Sequence, residues 1–224
     1  MAIIVDCETL AIEGAEALTE PVSAPVNYKD PEKIAAYIAE KQRDQIEKAA
    51  LYPYTSRIIA LGYCYETDEV NRVEVINNEG REATVLREFW SAVVGPSGNV
   101  LPLVTFNGRA FDLPLLMVRS RLLGVPNAPE LNVDRYRSPH PDLLDILTFR
   151  GALPARSLTW FATRFGLNTS DAFSGREIAQ LYEDGNWDAI RSHCDSDVTL
   201  TRQLAERLGV VRRRPVVAAA GGPF

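Results

Sequence analysis

The sequence predicts an α/β fold: one mixed central sheet flanked by helices, with a helical insertion after the first strand. Three observations predict it. Apolar, β-rich runs at Ala2–Val5, Arg57–Tyr65 and Leu101–Phe106 are interleaved with stretches of helical period, the pattern of a sheet covered by helices. Residues 10–56 interrupt that pattern with a polar segment that carries its own helix signal. The chain has 224 residues, 46% of them hydrophobic, which suits one large globular domain with a proper core.

The elements follow in order. Ala2-Ile3-Ile4-Val5 is a short strand ending in Asp6-Cys7-Glu8-Thr9. Ala11 to Val26 is small, acidic and proline-bearing, so it reads as a loop. Asp30-Pro31-Glu32 opens a helix running to about Ala50, and its polar middle (Lys41 to Gln45) predicts light packing. Arg57–Tyr65 is nearly all apolar and predicts a buried strand; after the polar turn Glu66–Glu69, Arg72–Val75 alternates and predicts its hairpin partner. Leu86, Phe89, Trp90 and Val93 give helical spacing to Arg81–Val94. Leu101–Phe106 is a further strand, and Leu113–Leu123 a helix with Pro114 in its first turn, where proline is tolerated. Asp142–Leu147, Leu158–Phe165 and Arg176–Tyr182 predict short helices, and Asn186 caps a long one from Trp187 to about Leu208. The tail VRRRPVVAAAGGPF reads as a flexible end, which divides the chain into a domain over 1–210 and a tail over 211–224.

Composition narrows the function classes. Cys7, Cys64 and Cys194 are few, far apart and without a CxxC pair, which argues against a zinc knuckle or a disulfide framework and for a reducing cytoplasm. The first strand begins at residue 2, so no signal peptide is expected, and no apolar run is long enough to span a bilayer, so no membrane partner is expected. The net charge of −6 is unevenly spread. Residues 1–50 hold ten Asp or Glu against five Lys or Arg, whereas 109–164 hold eight Arg (109, 119, 121, 135, 137, 150, 156 and 164) against five acids. Those arginines read either as phosphate-facing or as solvated surface charge.

The chemistry is concentrated in carboxylates. Asp6 and Glu8, two apart on a strand, share a face, and adjacent carboxylates repel unless a cation neutralises them. Asp112 closes Asn107-Gly108-Arg109-Ala110-Phe111-Asp112, where a strand meets a helix; it reads as an acid of the same site or as a cap for that helix. On the last helix His193 and Asp197 are four apart and share a face, while Asp195 points well away, so Asp197 is the partner of His193. Taken alone, that pair is also compatible with an exposed His-Asp couple. Four carboxylates converging from three distant segments would make the oxygen-rich site that hard divalent cations need.

At these residues the chain resembles the DEDD superfamily of 3′–5′ exonucleases. Asp6-Cys7-Glu8-Thr9 is similar to that family's first motif, DxET; Asn107 to Asp112 to its second; His193 to Asp197 to its third, Tyr-x-x-x-Asp. The stretches DLLDIL, SLTWFATRFGL, SGREIAQLYEDG and SHCDSDVTLT resemble predicted exonucleases related to the proofreading domain of family B DNA polymerases. The insertion NYKDPEKIAAYIAEK is similar to phage or prophage versions, which implies a host cytoplasm as the setting. One departure stands out. His193 occupies the tyrosine position of the third motif, whereas the histidine subgroup sets its histidine five residues before the aspartate, so the subgroup and the general-base assignment stay open.

The resemblance implies a ribonuclease H-like fold and a metal-dependent 3′–5′ exonuclease that releases nucleoside monophosphates from DNA, or RNA, using two Mg²⁺ or Mn²⁺ ions about 4 Å apart. In that scheme Asp6 bridges both ions, Glu8 and Asp197 complete the water-activating one, and Asp112 holds the other. His193 sits by the nucleophilic water, as orienter or proton acceptor. Thr9 and Leu10 contact the terminal nucleotide, and Asn107 and Phe111 the penultimate one. The implied partners are single-stranded 3′ ends, DNA ahead of RNA, and replication proteins. Two other classes stay in view. A haloacid dehalogenase-type phosphatase also opens with a strand and paired acids, but its DxDxT would need aspartate at Glu8 and threonine one position later than Thr9. A catalytically silent nucleic-acid-binding module would have little use for four intact carboxylates.

Overall fold

The structure, a computed structural model, describes residues 1–95, 97–169 and 177–212. The expected flexible tail lies outside the described residues from position 213 onward, as does Arg176, the expected start of one short helix. Four strands, β1 (Ile3–Ala11), β2 (Ser56–Tyr65), β3 (Arg72–Val75) and β4 (Leu103–Val104), form one sheet in the order β3-β2-β1-β4. β1 runs antiparallel to β2, β2 antiparallel to β3, and β1 parallel to β4, so the sheet is mixed as expected.

Two strand boundaries differ from expectation, and both bear on the site. β1 does not stop before Asp6: it pairs with β2 through Ala11, which puts Asp6 and Glu8 in the body of the strand. What stops is its other neighbour. β4 is two residues long instead of six and pairs only with Ile3 and Ile4. Pro102 has no amide to give the ladder. At the other end Thr105 turns to the next segment, donating to Pro141 O at 3.1 Å and accepting from Leu143 N at 2.9 Å. Beyond Ile4, therefore, one edge of β1 has no neighbouring strand, and a cleft opens at the carboxyl ends of the parallel pair, where open α/β sheets bind ligands.

The two sheet faces bury different helices. Ile3, Val5 and Cys7 point to one face, against α2 (Glu82–Val93) and α3 (Asp112–Leu122) through Leu86, Phe89, Trp90, Leu113 and Leu116. Ile4 points to the other, with Val198 and Leu204 of the long last helix. Between Glu8 and Thr9 the register slips, so Ile59 of β2 is an extra residue and Ile58 and Leu61, three apart, both reach the first face. The insertion helix α1 (Pro31–Ala49) is capped by Asp30, whose carboxylate accepts from Glu32 N at 3.0 Å; the segment between β1 and β2 is thus 12–55, slightly shorter than expected.

The chain continues through α4 (Leu143–Leu147), α5 (Leu158–Arg164), α6 (Ile178–Glu183) and α7 (Trp187–Arg207). Asn186 caps α7 as its position predicts, accepting from Ala189 N at 3.2 Å. The stripe Ile190, Cys194, Val198, Thr201 and Leu204 is fully buried. α7 rests on β2 at Gly62, where a Cβ would meet Cys194 Sγ at 2.7 Å and Val198 Cγ2 at 2.8 Å. Gly62→Ala is therefore expected to push α7 off the sheet and cost about 1–3 kcal/mol, read as a lowered urea midpoint at unchanged slope. Among the described residues no helix is long and apolar enough to cross a membrane.

Candidate active site

Asp6 and Glu8 share a face of β1 because they are two apart, and that face meets α7. Glu8 is buried there, and its Oε1 lies 3.4 Å from His193 Nε2. The same Nε2 lies 3.9 Å from Asp197 Oδ2, one helical turn on. Glu8, His193 and Asp197 thus bring one ligand atom each to within 4.8 Å of one another. His193 is buried between two acids, which sets aside the exposed His-Asp couple. Asp195 points elsewhere: its Oδ1 and carbonyl accept from Asn71 Nδ2 at 3.1 and 3.0 Å.

Asp112 arrives from the opposite side. It is the first residue of α3 and not its cap, a position held by Phe111. Its Oδ1 accepts from Cys7 N at 3.1 Å, on the strand between Asp6 and Glu8. It takes that amide where β1 has lost its neighbouring strand. The four carboxylates expected from sequence are therefore gathered at one place on the open edge of β1.

Their electrostatics record the crowding. Burial pushes the Asp6 carboxyl well above the usual carboxylate range, and the charges of Asp112, Glu8 and Asp197 push it further. Asp112 is pushed up to about 7, by burial first and then by Glu8 and Asp142, against the pull of its own and the Cys7 amide. The thiols of Cys7 and Cys194, both buried, are also raised, which leaves them protonated and inert. Hard oxygen donors whose charges repel one another in a half-dry cleft suit a hard divalent cation.

The sign of the pH dependence follows. A carboxyl whose folded pKa lies above its unfolded value stabilises the fold at low pH and loses that contribution as pH rises through the folded pKa. With Asp112 raised from 3.8 to about 7 and Asp6 raised too, the metal-free protein is expected to melt at lower temperature at pH 8 than at pH 6.5. His140, held below 6.5 by burial, acts in the opposite sense, and its effect falls at the acid end of this window and below it. Scanning calorimetry in EDTA checks it; Asp112→Asn should flatten the trend, and a Tm that rises across this range would contradict it.

The cleft, about 520 Å³, is lined by Asp6, Asp197, Asn107, Leu144, Arg156 and neighbouring residues. Asn107 turns the chain at φ 64°, and Gly108 packs where a Cβ would sit 2.3 Å from Thr105 Cβ. The other residues expected at the substrate also have partners within the fold. Thr9 Oγ1 donates to Ala50 O at 2.6 Å, Leu10 packs with the Ile178–Ile190 cluster, and Phe111 packs on the α2–α3 core. The arginine band is sorted too. Arg119 is buried against Glu82, Arg121 pairs with Glu130, and Arg109 and Arg135 share Asp145, while Arg156 lies at the cleft.

One residue has a role at the site that the sequence does not signal. Asp142 Oδ1 accepts from Asn107 N at 3.0 Å and Leu144 N at 2.9 Å, and Oδ2 from Arg109 N at 3.0 Å. It caps α4 and holds the turn that delivers Asp112. Only its place at the head of DLLDIL signals the cap; its grip on a turn 35 residues away has no local signal.

The model of a family described as "Predicted 3'-5' exonuclease related to the exonuclease domain of PolB" matches residues 51–212, a range that holds Asp112, His193 and Asp197 and begins after Asp6 and Glu8. The fold is similar to that of the family B DNA polymerase from the hyperthermophilic archaeon Pyrobaculum calidifontis, with a TM-score of 0.57 and 20% identity over 92% of this chain. The likeness covers 24% of the polymerase, so the chain spans about a quarter of its length. No curated protein matches the chain.

Proposed function

Since the chain belongs to the family of predicted 3′–5′ exonucleases related to the exonuclease domain of PolB, we propose that it removes nucleotides from the 3′ end of single-stranded DNA and releases nucleoside monophosphates. The observation that carries this reading is the capture of the Cys7 amide by Asp112, which joins two acids of β1 to a third, while His193 ties Glu8 to a fourth. In this reading the exonuclease unit spans 1–210, and replication proteins are its partners.

Asp6, Glu8, Asp112 and Asp197 hold two Mg²⁺ or Mn²⁺ ions, which when bound supply Lewis-acid charge to the phosphodiester and to a water. Glu8 and Asp197 both face Nε2 of His193, so that nitrogen can orient the attacking water, and it takes the proton only once both carboxylates release it. Thr9 and Leu10, further along the open edge, meet the terminal nucleotide; Asn107 and Phe111 meet the penultimate one. Such contacts on sugar and base faces carry little base preference.

A 5′-labelled single-stranded oligonucleotide with Mn²⁺ tests it: a ladder shortening from the 3′ end is expected. Binding of 3′ ends without turnover in any divalent metal would favour a silent binding module, and p-nitrophenyl phosphate hydrolysis without nuclease activity a phosphatase. His193→Ala is expected to lower the rate about a hundredfold. His193→Tyr separates the two roles of that position: retained activity assigns it to orienting water, and a loss equal to that of His193→Ala assigns it to proton transfer.

A further inference from the structure

A second groove, about 470 Å³, lies beside the first and is lined by Arg109, Arg135, Tyr136, Asp145, Phe149 and Arg150 among others. The short helix α4 divides the two, with Leu144 on the cleft and Asp145 and Ile146 on the groove. Asp142 joins them, since it holds both Asn107 N of the cleft and Arg109 N of the groove.

The groove combines positive charge with open aromatic faces. Tyr136 and Phe149 are 73% and 71% exposed. Arg109 Nε and Arg135 NH2 lie 2.5 and 2.8 Å from the same Asp145 carboxylate, and the Arg150 guanidinium lies 5.3 Å from the centre of the Tyr136 ring. Three guanidiniums thus face two carboxylates. Asp142 spends its oxygens on backbone amides, and burial keeps the His140 imidazole below its ordinary pKa. A guanidinium has five N–H donors, so sharing Asp145 leaves Arg109 and Arg135 with donors to spare.

The backbone favours the same conclusion. Phe149 (φ 49°) and Arg150 (φ 58°) are both left-handed, ahead of Gly151 (φ 89°). Two successive side-chain-bearing residues in that region cost free energy, and an exposed phenylalanine recovers none of it by burial. The turn is nevertheless locked: Phe149 N donates to Ile146 O at 3.1 Å, Arg150 N to Asp145 O at 2.6 Å, and Thr148 Oγ1 to Leu144 O at 2.7 Å. A strained, rigid turn that presents an aromatic ring and a guanidinium to water is what a stacking platform needs.

We propose that this groove is a second binding site, a platform for the single-stranded DNA upstream of the nucleotide being removed. Bases stack on Tyr136 and Phe149, and phosphates meet Arg109, Arg135 and Arg150. The proposal rests on the exonuclease reading for its ligand, but its test does not need catalysis. Fluorescence anisotropy of a labelled oligonucleotide of about 12 nucleotides, in EDTA, compares the full chain with Tyr136→Ala/Phe149→Ala. The double variant is expected to bind about tenfold more weakly. Abasic sites in the upstream half of the oligonucleotide should weaken the wild type to a similar degree and the double variant no further. Arg150→Gln should reduce the slope of log affinity against log salt by about 0.7.

Wild-type affinity in the double variant, or equal abasic losses in both proteins, would overturn the platform. A protein that binds the strand but never shortens it with Mn²⁺ would overturn the nuclease reading and leave the platform standing. A protein that shortens the strand while the double variant binds normally would do the reverse.

Discussion

Asp6→Asn is expected to slow 3′-end shortening on the order of a thousandfold while raising the melting temperature of the metal-free protein. The two effects have one cause. Asp6 is pushed up by burial and by the charges of Asp112, Glu8 and Asp197, so its ionised form is paid for by the rest of the fold. The amide keeps the shape of the side chain and removes the charge. Repulsion among the remaining acids falls, and so does their hold on a divalent cation. Calorimetry in EDTA and a labelled-oligonucleotide assay with Mn²⁺ read the two quantities separately. Loss of activity with a lowered Tm would make Asp6 a structural residue, and an unchanged rate would remove it from the reaction.

The largest expected loss of stability lies on the opposite side of the sheet. Glu82, 1% exposed at the start of α2, accepts from Arg119 Nε at 2.8 Å, from Arg119 NH2 at 2.7 Å and from Ile58 N at 3.0 Å. One carboxylate thus binds α3 to α2 and both to β2. Arg119→Met strands that charge in the core and is expected to cost about 3–5 kcal/mol, a fall of about 10 °C in Tm for a domain of this size. Glu82→Gln/Arg119→Met should recover most of it, because the glutamine carbonyl still accepts from Ile58 N and no charge is left alone. A double variant no more stable than Arg119→Met would mean that packing, not the buried charge, sets the cost.

These two residues mark how far the sequence carries. Asp6 was legible: it ends an apolar run, stands two from Glu8, and belongs to a motif set with Asp112, His193 and Asp197. Arg119 was not. In the sequence it is one of eight arginines over residues 109–164, equally suited to phosphate or to water. Only the packing of α3 against α2 places it on Glu82, and only the fold brings Arg109 and Arg135 onto one Asp145. Charge composition is a property of a segment, whereas the partner of a charge is a property of the space around it.

Periodicity, capping residues and motif spacing are local, and by themselves they determined the elements of this protein: the β1–β2–β3 run, the Asp30 and Asn186 caps and the stripe of α7, and they put forward four acids as candidates. Tertiary structure decided what those elements do together. It stopped β4 after two residues and left the Cys7 amide for Asp112. It closed α7 onto Gly62, so that His193, already beside Asp197 on the helix, reaches Glu8. It also gave Asp142 the turn that joins the cleft to its neighbouring groove. The reason is distance along the chain. Helix and strand signals act over a few residues, whereas these contacts join positions tens to more than a hundred residues apart, and only a completed core brings such positions within hydrogen-bonding reach.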